Sequence, residues 1–263
     1  IFKINNKKTI NKYCDLVLDY SFNLKTIKNN PKYLIGPKFC LLENKIIKTK
    51  VNKNKKVLIT FGGSNLLPQV KKTIQVLKKV LPDYKVYVST PSLDFYKILR
   101  NKLIDVEIVL SSSLSKLLNS YKFKFIISSA GHSLYELIFN NYPSIFVGIS
   151  KNQFKNINYL KKKGGAKVLL YKKHLFKEEL TAFLEQYKQN KKFFNINKKI
   201  SAKINFNGGE EVAKILDLRF FKTFYEYLPV LQTKRLKLIP LSKRNLYELY
   251  FLRKKISKNK MFF

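Results

Sequence analysis

The stretch IISSAGHSLYELIFNNYPSIFVGISKNQFKNINYLKKKGGAKVLL, residues 126–170, decides the fold that this sequence predicts. It follows Phe125, and the apolar residues 125–127 predict a buried strand. The small residues 128–131 predict a turn after that strand, and a helix with Glu136 in its second turn is expected next. A strand that leads through a short turn into a helix is the repeating unit of a parallel α/β sheet.

The second half of the stretch predicts another unit of the same kind. Pro143 precedes an apolar strand at 144–149, and the polar sequence NQxxN at 152–156 lies on the helix expected after it. The sequence GGA at 164–166 then gives a stop signal, because glycine is favoured just past a helix end. The stretch therefore predicts two consecutive strand–helix units with polar residues where each strand ends.

The sequence before this stretch continues the alternation. Residues 57–65, VLITFGGSN, predict a short buried strand and a Gly-Gly-Ser turn, and an amphipathic helix follows them. Two more strand–helix units are expected at 85–103 and 106–120. Alternating strands and helices predict the α/β class, with a parallel, doubly wound sheet.

Two loops of this sheet have the composition of a phosphate site. Ligands of doubly wound sheets bind at the carboxyl ends of strands, where residues 62–64 and 129–133 are expected to lie. Small residues there leave room for a phosphate against free backbone N–H groups at a helix start. Glu136, one turn inside its helix, can accept hydrogen bonds from ribose hydroxyls. The arrangement predicts a site for a nucleoside diphosphate.

The two histidines favour binding over metal chemistry. His132 lies in the turn before a helix, where a polar loop residue or a contact with a phosphate is favoured over a catalytic role. His174 follows two lysines and is expected in solvent. Two dispersed histidines without a matching cluster of cysteines or carboxylates predict no metal site, and no motif predicts a cofactor.

Residues 126–170 resemble the nucleotide-sugar half of the MurG-like glycosyltransferases, which have the GT-B fold. Their pattern is serine–x–alanine–glycine–x–serine, glutamate–leucine, a proline before a strand, then histidine–glutamine–x–x–asparagine and glycine–alanine. Asn152 stands here in place of that histidine, and Asn-Gln is more similar to the UDP-sugar hydrolases of pseudaminic acid biosynthesis, which share the fold. The segment YLIGPKFCLL at 33–42 also resembles those hydrolases and favours them over MurG.

The resemblance implies an enzyme that adds water to a UDP-sugar and releases UDP and a free 2,4-diacetamido-2,4,6-trideoxy sugar. A MurG-like glycosyltransferase with a UDP-sugar donor is the first alternative, and a non-catalytic basic interaction module is the second. In the hydrolases the general base is a histidine in a glycine-rich loop that would precede Ile1. The catalytic residue is therefore unknown, and this fragment is expected to be inactive alone.

The resemblance also implies which residues bind, in two groups. The residues expected to bind the UDP-sugar are Gly62, Gly63, Ser64, Ser129, Ala130, Gly131, His132, Ser133, Glu136, Asn152, Gln153 and Asn156. The residues expected to face the cleft near the reaction are Asp19, Asn23 and Asn152.

Shifts in composition predict three segments. Residues 1–48 are interpreted as the end of an N-terminal α/β domain, and a lysine-rich linker follows. Residues 55–228 are interpreted as the Rossmann-like domain that binds the UDP-sugar. Residues 233–263 resemble the start of a GNAT-type acetyltransferase, truncated before any acetyl-CoA loop.

Three helices are expected after the nucleotide segment. Residues 175–187 and 193–204 predict surface helices. Residues 205–218, NFNGGEEVAKILDL, resemble the closing helix of the same family, with Glu211 in place of an arginine.

The composition excludes several classes of protein. With 45% hydrophobic residues in 263, the chain is globular, and no apolar run approaches the roughly 20 residues that span a bilayer. The net charge of +37 does not predict specific nucleic-acid binding, because only five basic residues are arginine, the usual reader of bases and phosphates. Cys14 and Cys40 have no metal or redox spacing, so a reducing cytoplasm is expected. The sequence leaves the oligomeric state open.

Overall fold

The computed structural model describes residues 2–4, 16–22, 33–42, 54–62, 66–172, 174–205, 207–217, 231–232 and 237–238. The chain divides into two compact units, Ile1–Gly209 and Glu210–Phe263. The domain boundaries expected from the sequence, 1–48, 55–228 and 233–263, stay predictions, because the joins lie mostly outside the described residues.

The first unit contains two parallel sheets. The small sheet has the order β1-β2-β3 and consists of β1 (Phe2–Ile4), β2 (Leu16–Asp19) and β3 (Tyr33–Ile35). The large sheet has the order β6-β5-β4-β7-β8-β9. Its parallel strands are β4 (Lys56–Thr60), β5 (Lys85–Thr90), β6 (Glu107–Leu110), β7 (Phe125–Ser129), β8 (Ser144–Gly148) and β9 (Lys167–Leu170).

Helices connect the strands and follow the last of them. They are α1 (Leu67–Val80), α2 (Leu93–Lys102), α3 (Leu114–Ser120), α4 (Ser133–Phe139), α5 (Phe154–Lys163), α6 (Phe176–Gln189), α7 (Lys198–Ser201) and α8 (Gly208–Leu216). Short 3₁₀ helices lie at Pro37–Phe39 and Lys151–Gln153. In the second unit, β10 (Leu231–Gln232) pairs antiparallel with β11 (Lys237–Leu238). The rest of the acetyltransferase-like segment 233–263 lies outside the described residues.

Two apolar clusters cover the two faces of the large sheet. One cluster joins the sheet to α1, α2 and α6, and the other joins it to α3, α4, α5 and α7. Strands buried on both faces explain the continuous apolar runs in the sequence. The fold is therefore a three-layer, doubly wound α/β fold, as the alternation of strands and helices predicts.

The end of β7 differs from its predicted position. Ser128 and Ser129 were expected in a turn, but they pair with Phe146 and Val147 of β8 and are buried. The turn therefore begins at Ala130, two residues later than the composition suggests, because small polar residues fit a strand packed on both faces.

Two other local predictions are corrected. Since α4 begins at Ser133, Glu136 lies in its first turn and not in its second. The helix expected at 193–204 is wrong, since only Lys198–Ser201 is helical. The carbonyl of Phe194 accepts a hydrogen bond from the Ser144 N–H, 3.0 Å away. That bond holds the segment at the start of β8, where the Phe194 ring is fully buried. Among the described residues, no helix has both the length and the hydropathy needed to cross a bilayer.

Candidate functional site

The strand order places a crevice between β4 and β7. From these two neighbouring strands the sheet grows in opposite directions, to β5 and β6 on one side and to β8 and β9 on the other. The helix after β4 packs on one face of the sheet, and the helix after β7 packs on the opposite face. Such a reversal opens a crevice outside the carboxyl ends of the two strands, where doubly wound folds bind ligands.

The loop after β4 forms one wall of this crevice. It leaves the sheet through Phe61 and Gly62, and Gly62 has φ 84°. A positive φ of this size favours glycine, because a Cβ would meet the backbone. Of the other predicted site residues, Gly63, Ser64 and Asn23 lie outside the described residues.

The loop after β7 forms the opposite wall. The Ala130 N–H donates to the carbonyl of Val147, 3.0 Å away, and this is the last tie between the loop and the sheet. Gly131 and His132 then make the turn, and Ser133 begins α4. The Leu134 N–H donates back to the carbonyl of Gly131 at 3.3 Å, and the Tyr135 N–H donates to the carbonyl of His132 at 2.9 Å, so these two bonds close the turn onto the helix.

The side chain of Gln153 lies across the turn and is fixed by a hydrogen bond between its amide group and the backbone. Its Oε1 accepts a hydrogen bond from the Ile149 N–H, 2.9 Å away, at the end of β8. The amide nitrogen Nε2 lies beside Gly131, 3.7 Å from the position of a Cβ added to that glycine. Because the oxygen is fixed by the backbone, the donor nitrogen is directed towards the turn. Asn152, next to it, accepts a short hydrogen bond from the Ser150 hydroxyl through its Oδ1.

A cleft of about 120 Å³ lies between the loop after β7, residues 152–156 after β8 and Tyr20 after β2. Its walls are formed by Tyr20, Ala130, Gly131, His132, Tyr135, Asn152, Gln153 and Asn156. At about 30 Å³ per water molecule, the cleft has room for about four waters. It is large enough for one phosphoryl group and too small for a whole nucleotide sugar. No carboxylate is among these wall residues.

Six of the twelve residues that the sequence assigned to the substrate line this cleft, and Tyr20 and Tyr135 were missed. Tyr20 directly follows the predicted Asp19, and Tyr135 directly precedes the predicted Glu136. Nothing in the sequence distinguishes these two tyrosines from ordinary aromatic residues of the core. Burial raises the pKa of both phenols above the usual value, so both remain neutral hydrogen-bond donors near neutral pH.

Asn156 ties the loop after β2 to the floor of the cleft. Its Oδ1 accepts hydrogen bonds from the Phe22 N–H at 3.2 Å and from the Tyr135 hydroxyl at 3.1 Å. The Phe22 ring stacks between Tyr135 and Tyr159, with centroids 5.4 and 5.3 Å away. Tyr20 contacts the Tyr135 ring edge-on at 5.1 Å. Residues 20–22 therefore form part of the same site as α4 and α5.

Glu136 lies behind the cleft and does not line it. Its side chain is 10% exposed, and Oε1 lies 3.9 Å from Nε2 of His132, one turn earlier on the helix. Burial, and then the charge of Glu136, raise the pKa of the Cys40 thiol. The carboxylate is thus placed between His132 at the cleft and Cys40 in the interior.

The remaining predicted residues have structural partners or lie at the rim. Asp19 is buried, and its Oδ1 accepts hydrogen bonds from the N–H and the hydroxyl of Ser21, at 3.0 and 2.6 Å. Ser129 is buried at the end of β7, and Ser133 is half-buried at the start of α4. Within the described part of the chain, no three His, Cys, Asp or Glu side chains converge as metal ligands.

Comparison with known proteins identifies the fold and no family. No protein-family model matches the chain, and no curated protein matches it by sequence. Among solved structures it is similar to the spinosyn rhamnosyltransferase SpnG, with a TM-score of 0.52 and 15% identity over 76% of this chain and 56% of that one. It is also similar to the glycosyltransferase of kitacinnamycin, with a TM-score of 0.50 and 14% identity over 77% of this chain and 55% of that one.

MurG of Acinetobacter baumannii is a more distant match, with a TM-score of 0.47 and 14% identity over 78% of this chain and 61% of that one. This chain therefore spans 55–61% of the length of these three structures. At these identities the likeness concerns the fold alone. The predicted fold class, α/β with a GT-B-like doubly wound parallel sheet, is confirmed.

Proposed function

We propose that this chain binds the diphosphate of a UDP-sugar in the cleft at the carboxyl ends of β7 and β8, as the nucleotide-binding part of a UDP-sugar hydrolase. One observation carries the proposal. Residues chosen from the sequence for this role, 130–132, Asn152, Gln153 and Asn156, line a single cleft at the carboxyl ends of β7 and β8. In doubly wound folds this is the position at which nucleotides bind.

The chemistry of the cleft suits an anionic group. The Nε2 donor of Gln153 faces the turn, and the phenol of Tyr20 is a neutral donor on the cleft wall, whereas the hydroxyl proton of Tyr135 is donated to Asn156. No wall residue is a carboxylate that would repel phosphate. A phosphoryl group held here would leave the nucleoside to extend towards Gly62 and the sugar towards Asn152 and Tyr20.

Hydrolysis is the reaction that the resemblance of Asn152-Gln153 and of residues 33–42 favours. Water would add to the sugar, the bond between sugar and diphosphate would break, and UDP would leave with the bonding electron pair. A general base would take the proton from the water. The proposed substrate is a UDP-linked 2,4-diacetamido-2,4,6-trideoxy sugar. In this scheme Asp19 lies on the sugar side of the cleft, and Glu136 would reach the ribose by turning away from His132, which it faces behind the cleft.

A glycosyltransferase with the same donor site is the second candidate. The observation that favours it is the fold shared with SpnG and with the kitacinnamycin enzyme, both of which are glycosyltransferases. The two reactions differ only in what receives the sugar. Release of UDP from the sugar nucleotide without any acceptor would distinguish hydrolysis from transfer.

Calorimetry with UDP tests the common part of both candidates. Gln153→Ala should weaken UDP binding by about tenfold or more, because a hydrogen bond to a charged group contributes roughly 1.5–3 kcal/mol. Gln186→Ala, an exposed glutamine on α6, is the matched control and should bind as the wild type does. Absence of UDP binding by the wild type at millimolar concentrations, or equal binding by the two variants, would overturn the proposed site.

A further inference from the structure

The carboxylates of this chain are distributed far less evenly than its lysines. Between Glu136 and Glu178 the sequence has nine lysines and no acidic residue. Between Glu185 and Glu210 it has six more lysines and again no acidic residue. A high lysine content of the whole chain accounts for the number of lysines in these two segments. It does not account for the absence of acidic residues from them.

The fold brings these two segments together at the end of α5. Gly164, with φ 58°, ends that helix in the left-handed conformation. The carbonyl of Gly165 then accepts a hydrogen bond from the Asn197 N–H, 2.9 Å away. A Cβ on Gly165 would lie 2.2 Å from Cγ1 of Ile200, so α7 packs directly on a glycine that has no side chain.

Six lysines at the end of α5, in α7 and just after α7 form what we call the lysine surface. Its members are Lys161, Lys162, Lys163, Lys198, Lys199 and Lys203, and all six are exposed. Lys203 links the two helices, with its Nζ 6.0 Å from the ring centroid of Tyr159 on α5. A single lysine in the last turn would already interact favourably with the negative end of the α5 helix dipole, but the last turn of α5 contains three.

The charge of the lysine surface is not neutralised by neighbouring carboxylates among the described residues. Ion pairs of lysine with a carboxylate at 2.8–3.0 Å are formed by Lys55, Lys78, Lys85 and Lys188, which all lie outside the surface. None of the six lysines of the surface forms an ion pair within the part of the chain that the structure describes. Their charge is therefore directed to solvent and is available to an anionic partner.

We propose that the lysine surface binds an anionic phospholipid membrane, a function separate from nucleotide binding. Four to eight clustered lysines on a helical face are typical of proteins that bind acidic lipids. Phe154, 37% exposed, lies two turns before Lys161 on the same side of α5 and places an aromatic ring at the edge of the surface. The surface contains no arginine, the residue that nucleic-acid sites prefer, so lipid is favoured over RNA or DNA.

Flotation of the full chain with vesicles tests the proposal. Vesicles with one quarter phosphatidylglycerol in phosphatidylcholine should bind the wild type at low salt, and pure phosphatidylcholine should not. The variant K161Q/K162Q/K198Q/K199Q should lose affinity by about a hundredfold or more, since each of the four lysines near an anionic surface contributes about fivefold. The control K71Q/K79Q/K97Q/K102Q removes the same charge from exposed lysines of α1 and α2, on the other face of the sheet, and should lose much less.

A second measurement does not depend on any variant. Hydrogen exchange of the wild type should slow in 154–163 and 198–203 when anionic vesicles are added. Equal loss of binding in both quadruple variants would mean that only net charge matters, and would overturn the proposal. Protection confined to other segments would also overturn it. So would failure to bind the vesicles together with tight binding of an oligonucleotide through these lysines.

Discussion

The side-chain oxygen of Asn156 accepts a hydrogen bond from the backbone N–H of Phe22, which lies 134 residues earlier in the chain. The same oxygen accepts a second hydrogen bond from the hydroxyl of Tyr135. One buried amide thus joins the loop after β2, helix α4 and helix α5. Since both Tyr135 and Asn156 line the cleft, the shape of the candidate site depends on this junction.

We expect Asn156→Ala to destabilise the protein by roughly 1–3 kcal/mol, because it leaves a buried N–H and a buried hydroxyl without their acceptor. The measurement is the free energy of unfolding in urea. Asn158→Ala is the control, because Asn158 is an exposed residue on the same helix. If the two variants unfold at the same urea concentration, the junction contributes nothing to stability.

The sequence predicts the repeating units well and the long-range contacts poorly. The helix 114–120 is found as predicted, since periodicity and capping act within a few residues. The strand order is not readable from a pattern, because it depends on contacts between distant segments. Residues 193–204 were expected to form a surface helix, but Phe194 instead stacks on Tyr187 with centroids 4.8 Å apart.

The candidate site, too, can be predicted from the sequence only where it depends on local residues and not on long-range contacts. Small residues and amides at the ends of strands identify most of the cleft, because their chemistry is visible residue by residue. Tyr20 becomes part of the cleft only because Phe22 and Asn156 hold its loop against α4. Glu136 turns towards His132 and Cys40 because of packing around α4, which no local pattern encodes.

Gly165→Ala should destabilise the protein by about 1–3 kcal/mol, the usual cost of overpacking. The added Cβ would lie 2.2 Å from Cγ1 of Ile200, so either α7 or the turn must move. Thermal unfolding of Gly165→Ala, Ile200→Ala and the double variant would measure the coupling. We expect Ile200→Ala to relieve part of the cost of the added methyl group. Strict additivity of the two changes would show that Ile200 is not what opposes a side chain at position 165.

We expect Tyr142 to make the free energy of unfolding depend on pH in the alkaline range. Its hydroxyl accepts a hydrogen bond from the Phe123 N–H at 3.0 Å and donates one to the Phe123 carbonyl at 2.9 Å. Burial raises the pKa of Tyr142 to about 12, against a smaller opposite effect of the hydrogen bond to Phe123. Because the pKa is higher in the folded state, this stabilisation is fully present below about pH 10 and is lost as the pH rises towards 12.

The test compares the wild type with Tyr142→Phe. At pH 8 the variant should be less stable by about 1–2 kcal/mol, since two hydrogen bonds of the hydroxyl are lost. The difference should shrink steadily above pH 10. Tyr96→Phe on α2 is the control for a tyrosine-to-phenylalanine change elsewhere. A difference that stays constant up to pH 12 would contradict the assignment of the alkaline effect to Tyr142.

The last prediction concerns Glu136 and the ribose of a bound nucleotide. If its carboxylate accepts hydrogen bonds from ribose hydroxyls, Glu136→Ala should weaken UDP binding by roughly 1–3 kcal/mol. The wild type should also bind dUDP, which lacks the 2′-hydroxyl, less tightly than UDP. Calorimetry with both ligands separates this role from a structural one, because the variant should no longer distinguish UDP from dUDP. Glu136 also faces His132 at 3.9 Å, so a variant that weakens both ligands equally and keeps the preference for UDP would assign Glu136 to orienting His132 instead.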